Sequence, residues 1–274
     1  MKPSLRIIRK FIFAVLLFLI AIAGSFSQSD STYQYFLEAG GFASVVGSHM
    51  KVNAIHGPDG TLIDLENDLD FPTNPFIFRL DGLIKLGRRS SFLMTGLVIN
   101  REVEKVLDKD IQVGDSLYHV GTNISAKFST VYIALSYRYS IFIKEKWNAG
   151  ASIGMRDLFV ETGFAPILDR NANTDNLAKH IPTPVLGLFL DYDITPKLNA
   201  RATAELLHLN ISDVVASVID SRIEAQYYFF RNFSIGAAYS YNLYKVDNLT
   251  VAKIFKADID YQFYGLTFFL GSRF

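Results

Sequence analysis

The chain has 274 residues, half of them hydrophobic, with 23 Phe, 14 Tyr, 27 basic and 27 acidic residues and no cysteine. The lack of cysteine excludes disulfides, thiolate metal centres and a lipid-modified N-terminal cysteine. The balanced charge, without a basic patch, excludes a nucleic-acid binder.

The N-terminus comes first in chain order. Lys2, Arg6, Arg9 and Lys10 precede the apolar run FIFAVLLFLIAIA at 11–23, and the small residues GSFSQ follow. That order is the secretory signal pattern, and the run is shorter than the roughly 20 residues of a spanning helix. Residues 1–27 are therefore expected to be a signal peptide, cleaved after Ser27, with 28–274 a single domain. Four basic residues belong to the leader, so the remainder carries a net charge of −4. No later apolar run is long enough for a helical span.

From there on the period is two, which is the period of strands. In FIFRLDGLIKL, Phe76, Phe78, Leu80, Ile84 and Leu86 oppose Arg79, Asp81 and Lys85. In WNAGASIGMR, Ala149, Ala151, Ile153 and Met155 oppose Asn148, Gly150, Ser152, Gly154 and Arg156. In VIDSRIEAQYYFF, Ile219, Ile223, Ala225, Tyr227 and Phe229 oppose Asp220, Arg222, Glu224 and Gln226. In FSIGAAYSYN, Phe233, Ile235, Tyr239 and Tyr241 oppose Ser234, Gly236, Ser240 and Asn242. The abundant Phe and Tyr suit such strands. Trp147, beside a short turn, fits an interfacial aromatic girdle with Tyr227 and Phe229.

Ten segments are expected as strands: 33–56, 76–86, 91–103, 122–142, 147–163, 184–194, 198–211, 218–230, 233–245 and 255–274. Short connectors (87–90, 144–146, 195–197, 231–232) alternate with longer polar ones (57–75, 104–121, 164–183, 212–217, 246–254). Strict alternation of that kind marks an all-β, closed, antiparallel up-and-down transmembrane barrel, of ten strands or else eight. A soluble β-sandwich would also alternate. It does not account for the ordered short and long connectors or for the aromatic face that runs the length of the chain.

The last segment breaks its own pattern. Ile259, Tyr261 and Phe263 are apolar at odd positions, whereas Tyr264, Leu266, Phe268, Leu270 and Phe274 are apolar at even ones. This predicts a bulge at Tyr264–Gly265. Gly40–Gly41 is a second candidate for a bulge or bend.

The terminal Phe274 on an alternating aromatic strand, with Phe268 and Leu270 on the same face, resembles the C-terminal signature of Gram-negative outer-membrane proteins. Ser272 stands where that signature has an aromatic residue. The stretch TLIDLENDL at 61–69 resembles a T-x-I-D-L-E-x-D-L segment found after the first strand in small, functionally uncharacterised outer-membrane barrels. The resemblance implies outer-membrane location, contact with lipid and lipopolysaccharide, and recognition of the last strand by the barrel-assembly machinery. It implies no activity.

On the polar face of the strands, Arg79, Asp81, Lys85, Arg138, Arg156, Asp191, Arg201, Glu205, Arg222, Glu224, Asp258 and Asp260 are expected to fill the lumen as a paired network, or to line a narrow conduit. Asp64, Glu66, Asp68 and Asp70 alternate, so an extended loop would point four carboxylates one way, as a divalent cation requires. Asp169, Asn171, Asn173 and Asp175 resemble the first half of an EF-hand loop, but Thr174 replaces its glycine and His180 its final glutamate. No catalytic residue or cofactor is assigned, and no metal beyond those loop candidates. His208 with Asp213 is the nearest approach to a catalytic pair. The sequence therefore reads as a structural or surface-interacting barrel, or a narrow passive pore. The alternative is a barrel enzyme acting on lipid A or peptide at the outer rim.

Overall fold

The structure, a computed structural model, describes residues 35–166, 175–211, 213–251 and 255–274. The expected signal peptide at 1–27 lies outside these residues. The strands are β1 (Tyr35–Ala54), β2 (Ile63–Asp64), β3 (Phe76–Lys85), β4 (Ser90–Val106), β5 (Ile111–Val113), β6 (Ser116–Tyr118), β7 (Asn123–Ile143), β8 (Trp147–Pro166), β9 (Asp175–Thr195), β10 (Leu198–Ile211), β11 (Val214–Tyr228), β12 (Phe233–Val251) and β13 (Phe255–Arg273). Ten of them are long: β1, β3, β4 and β7 to β13. They form one antiparallel sheet in which each long strand pairs with the next, and β13 pairs back onto β1. The fold is a closed up-and-down barrel.

Closure makes every side chain choose between inside and outside. On β13 the odd residues Ala257, Ile259, Tyr261, Phe263, Thr267, Phe269 and Gly271 are buried along the whole strand. The register to β1 runs unbroken from Ala54↔Phe255 to Phe36↔Arg273, and the register to β12 is continuous through Tyr241↔Tyr264 and Ser240↔Gly265. The expected bulge at Tyr264–Gly265 is therefore absent, and the register also passes straight through Gly40 and Gly41.

What changes along the strand is the chemistry of the two faces, not their parity. Toward the short-turn end the outward face is an apolar belt: Phe78, Ile153, Leu188, Ile223, Phe268 and Leu270 are all more than half exposed. Toward the loop end the outward face is polar, with His49, Asn100, Glu102, Ser125, His208 and Lys245 exposed. There the lumen is filled by an apolar core that includes Phe42, Met50, Ile99, Phe128, Tyr132, Tyr261 and Phe263. Burial of each such side chain contributes about 1.5–3 kcal/mol.

The loop end is also built from connectors. β1 pairs with β3 only as far as Ala43↔Phe76, so the upper part of β1 would be left with an open edge. The connector 55–75 fills the gap. Within it β2 pairs with β1 at His49↔Asp64 and Met50↔Ile63, and Val46 donates its amide to Thr73 O. Ile63, Leu65, Leu69 and Phe71 from this connector are buried in the core. The next long connector carries the β5–β6 hairpin. The other expected long connectors are mostly strand: β9 begins at Asp175, β12 ends at Val251 and β13 begins at Phe255. At the opposite end Trp147 stacks on Tyr192 with ring centroids 4.1 Å apart.

Gly265 marks a real constraint in spite of the continuous register. Its φ is +149°, and a Cβ there would stand 2.2 Å from Ala43 O. Gly87 has the same φ of +149° with nothing within 4 Å of its Cβ position. Gly265→Ala is expected to lower unfolding stability by about 1–3 kcal/mol in urea titrations of the folded barrel, and Gly87→Ala by clearly less. Equal losses at both sites would mean that backbone conformation, not the close approach of β1, requires glycine.

Candidate functional site: the sealed lumen

The inward residues of the belt half are charged. Arg79, Asp81, Arg138, Arg156, Glu205, Arg222 and Glu224 are all buried, as is Glu38. They meet in pairs and forks. Arg79 grips Asp81 through Nε at 2.7 Å and Nη2 at 2.9 Å, and Thr95 Oγ1 donates to the same carboxylate at 2.5 Å. Arg222 Nε donates to Glu224 Oε2 at 2.7 Å, and Arg201 Nη1 lies 2.7 Å from Glu224 Oε1. Arg138 Nη2 reaches both oxygens of Asp191, at 2.9 and 3.0 Å, and Arg201 Nε stands 3.3 Å from the same group. Arg156 pairs with Glu205 and, through Nε at 3.3 Å, with Asp220. Ser136 and Ser152 hydroxyls each donate to Glu205 at 2.9 Å, and Tyr132 donates to Asp220.

Glu38 is central. Its carboxylate lies 3.8 Å from Arg201 and 3.5 Å from Arg222, the same two arginines that share Glu224. Five arginines and six carboxylates thus share one layer across the bore. A cavity of about 30 Å³ lies among Glu38, Arg79, Asp81, Arg156, Glu205 and Arg222, room for about one or two waters. Guanidinium planes also stack on rings: Arg138 lies 3.8 Å from the centroid of Phe189 and Arg201 4.8 Å from that of Phe36. Such stacking suits arginine and not lysine.

Ten of the twelve sequence-nominated lumen residues lie on inward faces; Arg79, Asp81, Arg138, Arg156, Asp191, Arg201, Glu205, Arg222 and Glu224 join the layer. Lys85 sits on the inward face at the turn end, half-buried. Asp258 and Asp260 do not belong: they alternate with the buried Ala257, Ile259 and Tyr261 and face outward. Glu38, Asp220 and Tyr132 complete the network. Asp220 already stood on the polar side of its strand in the sequence. Glu38 lay beside the Gly40–Gly41 pair, where a suspected bulge obscured its parity.

A further buried ion pair lies above this layer. Glu66 accepts from the Ser48 amide and hydroxyl, both at 2.7 Å, and pairs with Arg101. The Arg101 guanidinium sits within 5.1–5.9 Å of the ring centroids of Phe71, Phe128 and Tyr261. One ion pair thus nails the connector 55–75 into the apolar core.

This overturns the expectation of four convergent loop carboxylates. The segment is turned, not extended, and each acid has its own partner. Asp64 accepts from Asn67 Nδ2 at 2.6 Å, Asp68 pairs with Lys109 at 2.8 Å and Asp70 with Lys105 at 3.0 Å. Partial burial pushes the Asp64 carboxyl up, but the amides of Asn67 and Glu66 and the nearby His49 outweigh it and hold the group below its ordinary value. Among the described residues no cluster of three His, Cys, Asp or Glu could hold a metal. Asp169, Asn171 and Asn173, and the side chain of Asp175, lie outside the described residues.

His208 does not meet Asp213. Its Nδ1 lies 2.9 Å from Ser217 Oγ on the neighbouring strand, and Asp213 pairs with Lys256 at 3.5 Å. Phe268, Leu270 and Phe274 are exposed on the outer face of β13, at 61%, 65% and 42%.

With this geometry in view, the chain is similar to the outer membrane protease OmpT of Escherichia coli, at a TM-score of 0.55 and 10% sequence identity over 90% of this chain and 100% of that one. The translocator domain of the autotransporter NalP of Neisseria meningitidis matches with a TM-score of 0.45 and 12% identity over 97% and 96% of the two chains. No protein-family model and no curated protein sequence matches. At these identities the likeness concerns fold alone: the chain has the architecture of the outer-membrane β-barrels.

Removing Glu224 leaves Arg201 and Arg222 without their shortest contact. Glu224→Ala is expected to cost about 3–5 kcal/mol of stability, the usual loss when a buried pair is broken from one side. Urea unfolding followed by gel mobility measures it, and a loss below about 1 kcal/mol would show the layer to be hydrated and loosely coupled.

Proposed function

We propose that this is an exported outer-membrane barrel with a sealed lumen, which acts as a structural or interacting element at the cell surface and not as a conduit. The observation that carries the reading is the double seal. The arginine–carboxylate layer encloses a cavity of only about 30 Å³, and the apolar core with its inserted connector fills the bore above it in this reading. The layer mixes both charges, so it lacks the single-sign ring of a selective ion path.

The apolar belt matches the hydrocarbon of a bilayer. In this reading the outer-membrane lipid contacts the belt, and lipopolysaccharide meets the polar collar above it. The exposed aromatic face of β13, ending at Phe274, is what the barrel-assembly machinery would engage. Neither a cofactor nor a catalytic residue is invoked. The proteolytic activity named for OmpT is said of that protein.

Planar-bilayer recording tests the reading. The purified, refolded barrel is expected to give no unitary steps at any voltage that the bilayer withstands. Reproducible steps from the wild-type protein would refute the sealed lumen. The fold is checked on the same sample by gel mobility with and without boiling, where two distinct positions are expected.

A further inference from the structure

The barrel wall has a second seam where pairing stops short of the loop-side rim, and no described segment fills this one. The β9–β10 ladder runs from Leu198↔Thr195 to Leu206↔Leu186 and ends there. Yet β9 continues against β8 as far as Phe164↔Asp175, and β10 continues against β11 as far as Ile211↔Val214. The two strands part while each keeps its other neighbour.

The sequence explains the parting. Asp193 donates its amide to Lys146 O, on the β8 side. Amides alternate sides along an antiparallel strand, so those at even positions of β9 address β10. Positions 182 and 184 are both proline, and proline has no amide hydrogen to give. The ladder stops where two successive donors toward β10 are missing.

Behind the seam is a cavity of about 680 Å³ lined by Ile181, Leu207, Leu209, Val214, Val246 and Leu249. That is within the range of roughly 300–1,000 Å³ for small-molecule sites. Its foot is at the top of the apolar belt, where Leu186 and Leu206 are 64% and 57% exposed. Lys179 lines its rim, on the same face as Ile181. The carboxylates on the facing stretch of β8 are engaged elsewhere, Glu161 with Lys127 at 3.0 Å and Asp157 with His180 at 2.8 Å. The result is an apolar slot at the belt edge between β9 and β10, with Lys179 at its mouth among the described residues.

We infer that the slot binds a single-chain anionic amphiphile, a long-chain carboxylate. Its hydrocarbon would lie between β9 and β10 and its head would pair with Lys179. One strand gap admits one chain, and one lysine neutralises one head. This goes beyond the sealed-lumen reading and does not depend on it, because binding at the wall is measured without conductance.

The test uses the full barrel in detergent-free phosphatidylcholine nanodiscs, with a diazirine-bearing hexadecanoate as photoprobe and peptide mapping by mass spectrometry. Labelling is expected to saturate and to concentrate in 178–184, 207–216 and 246–249. Unlabelled hexadecanoate should compete and hexadecanol should not. Lys179→Met is expected to weaken binding by about tenfold, the scale of one charge-assisted contact. Leu209→Trp should abolish it by filling the slot. Pro182→Thr with Pro184→Thr should reduce it by restoring two donors toward β10. Each variant is checked for heat-shifted gel mobility, so that a folding failure is recognised and the remaining variants decide. Labelling spread over the belt, or unchanged in all three variants, would overturn the proposal. Equal competition by a two-chain phosphatidylglycerol would overturn the single-chain assignment.

Discussion

Closure of the backbone ring is the constraint on which everything else rests. A strand edge left open within a bilayer would strand its amides and carbonyls without partners, at a cost of several kcal/mol for each group. Pairing β13 onto β1 removes the last edge. Once the ring is shut, a register slip in one strand would have to be absorbed by both neighbours. Parity is therefore held along β13, even where the side chains change character, and the register shifts of the sheet lie toward strand ends, between Ser140 and Phe142, Val246 and Leu249, and Leu198 and Asn199. Asp258 and Asp260 face out and Ile259 and Tyr261 face in for that reason, although Leu270 and Phe268 on the same strand obey the opposite rule of polarity.

The polarity reversal divides the molecule into two materials within one hydrogen-bonded cylinder. In the belt half the outside must be apolar, so the polar residues of each strand are forced inward. Charges buried there survive only when paired and hydrogen-bonded, and arginine supplies the planar fork that lets one group serve two carboxylates. In the loop half the outside is polar, and the lumen becomes an ordinary hydrophobic core stiffened by the connector 55–75. The Arg101–Glu66 pair joins that connector to the wall. The two halves carry inward faces of opposite chemistry.

The seam at β9–β10 shows how local covalent chemistry can override the drive to closure. Two prolines withdraw donors from one side of one strand, while the β8 side stays fully paired. The break falls above the belt, where water can satisfy the freed groups. The β1–β3 shortfall is of the same kind but is repaired by chain insertion. The contrast between a filled and an unfilled seam gives the wall its slot between β9 and β10.

The sequence by itself determined the strand periodicity, the all-β class and most of the inward charges, and it left ten strands or eight, because period-two alternation is written locally and survives any arrangement of neighbours. Arg79, Asp81, Arg138, Arg156, Arg201, Glu205, Arg222 and Glu224 were all legible in that way. Only the tertiary structure decided what each face meets. The apolar residues of β13 looked like one continuous lipid face with a slip at Tyr264–Gly265, since alternation reports polarity and not direction. The partners of Glu38, namely Arg201 and Arg222, and those of Asp68 and Asp70 lie far along the chain. They follow from the register around the closed ring, and no local pattern encodes that register.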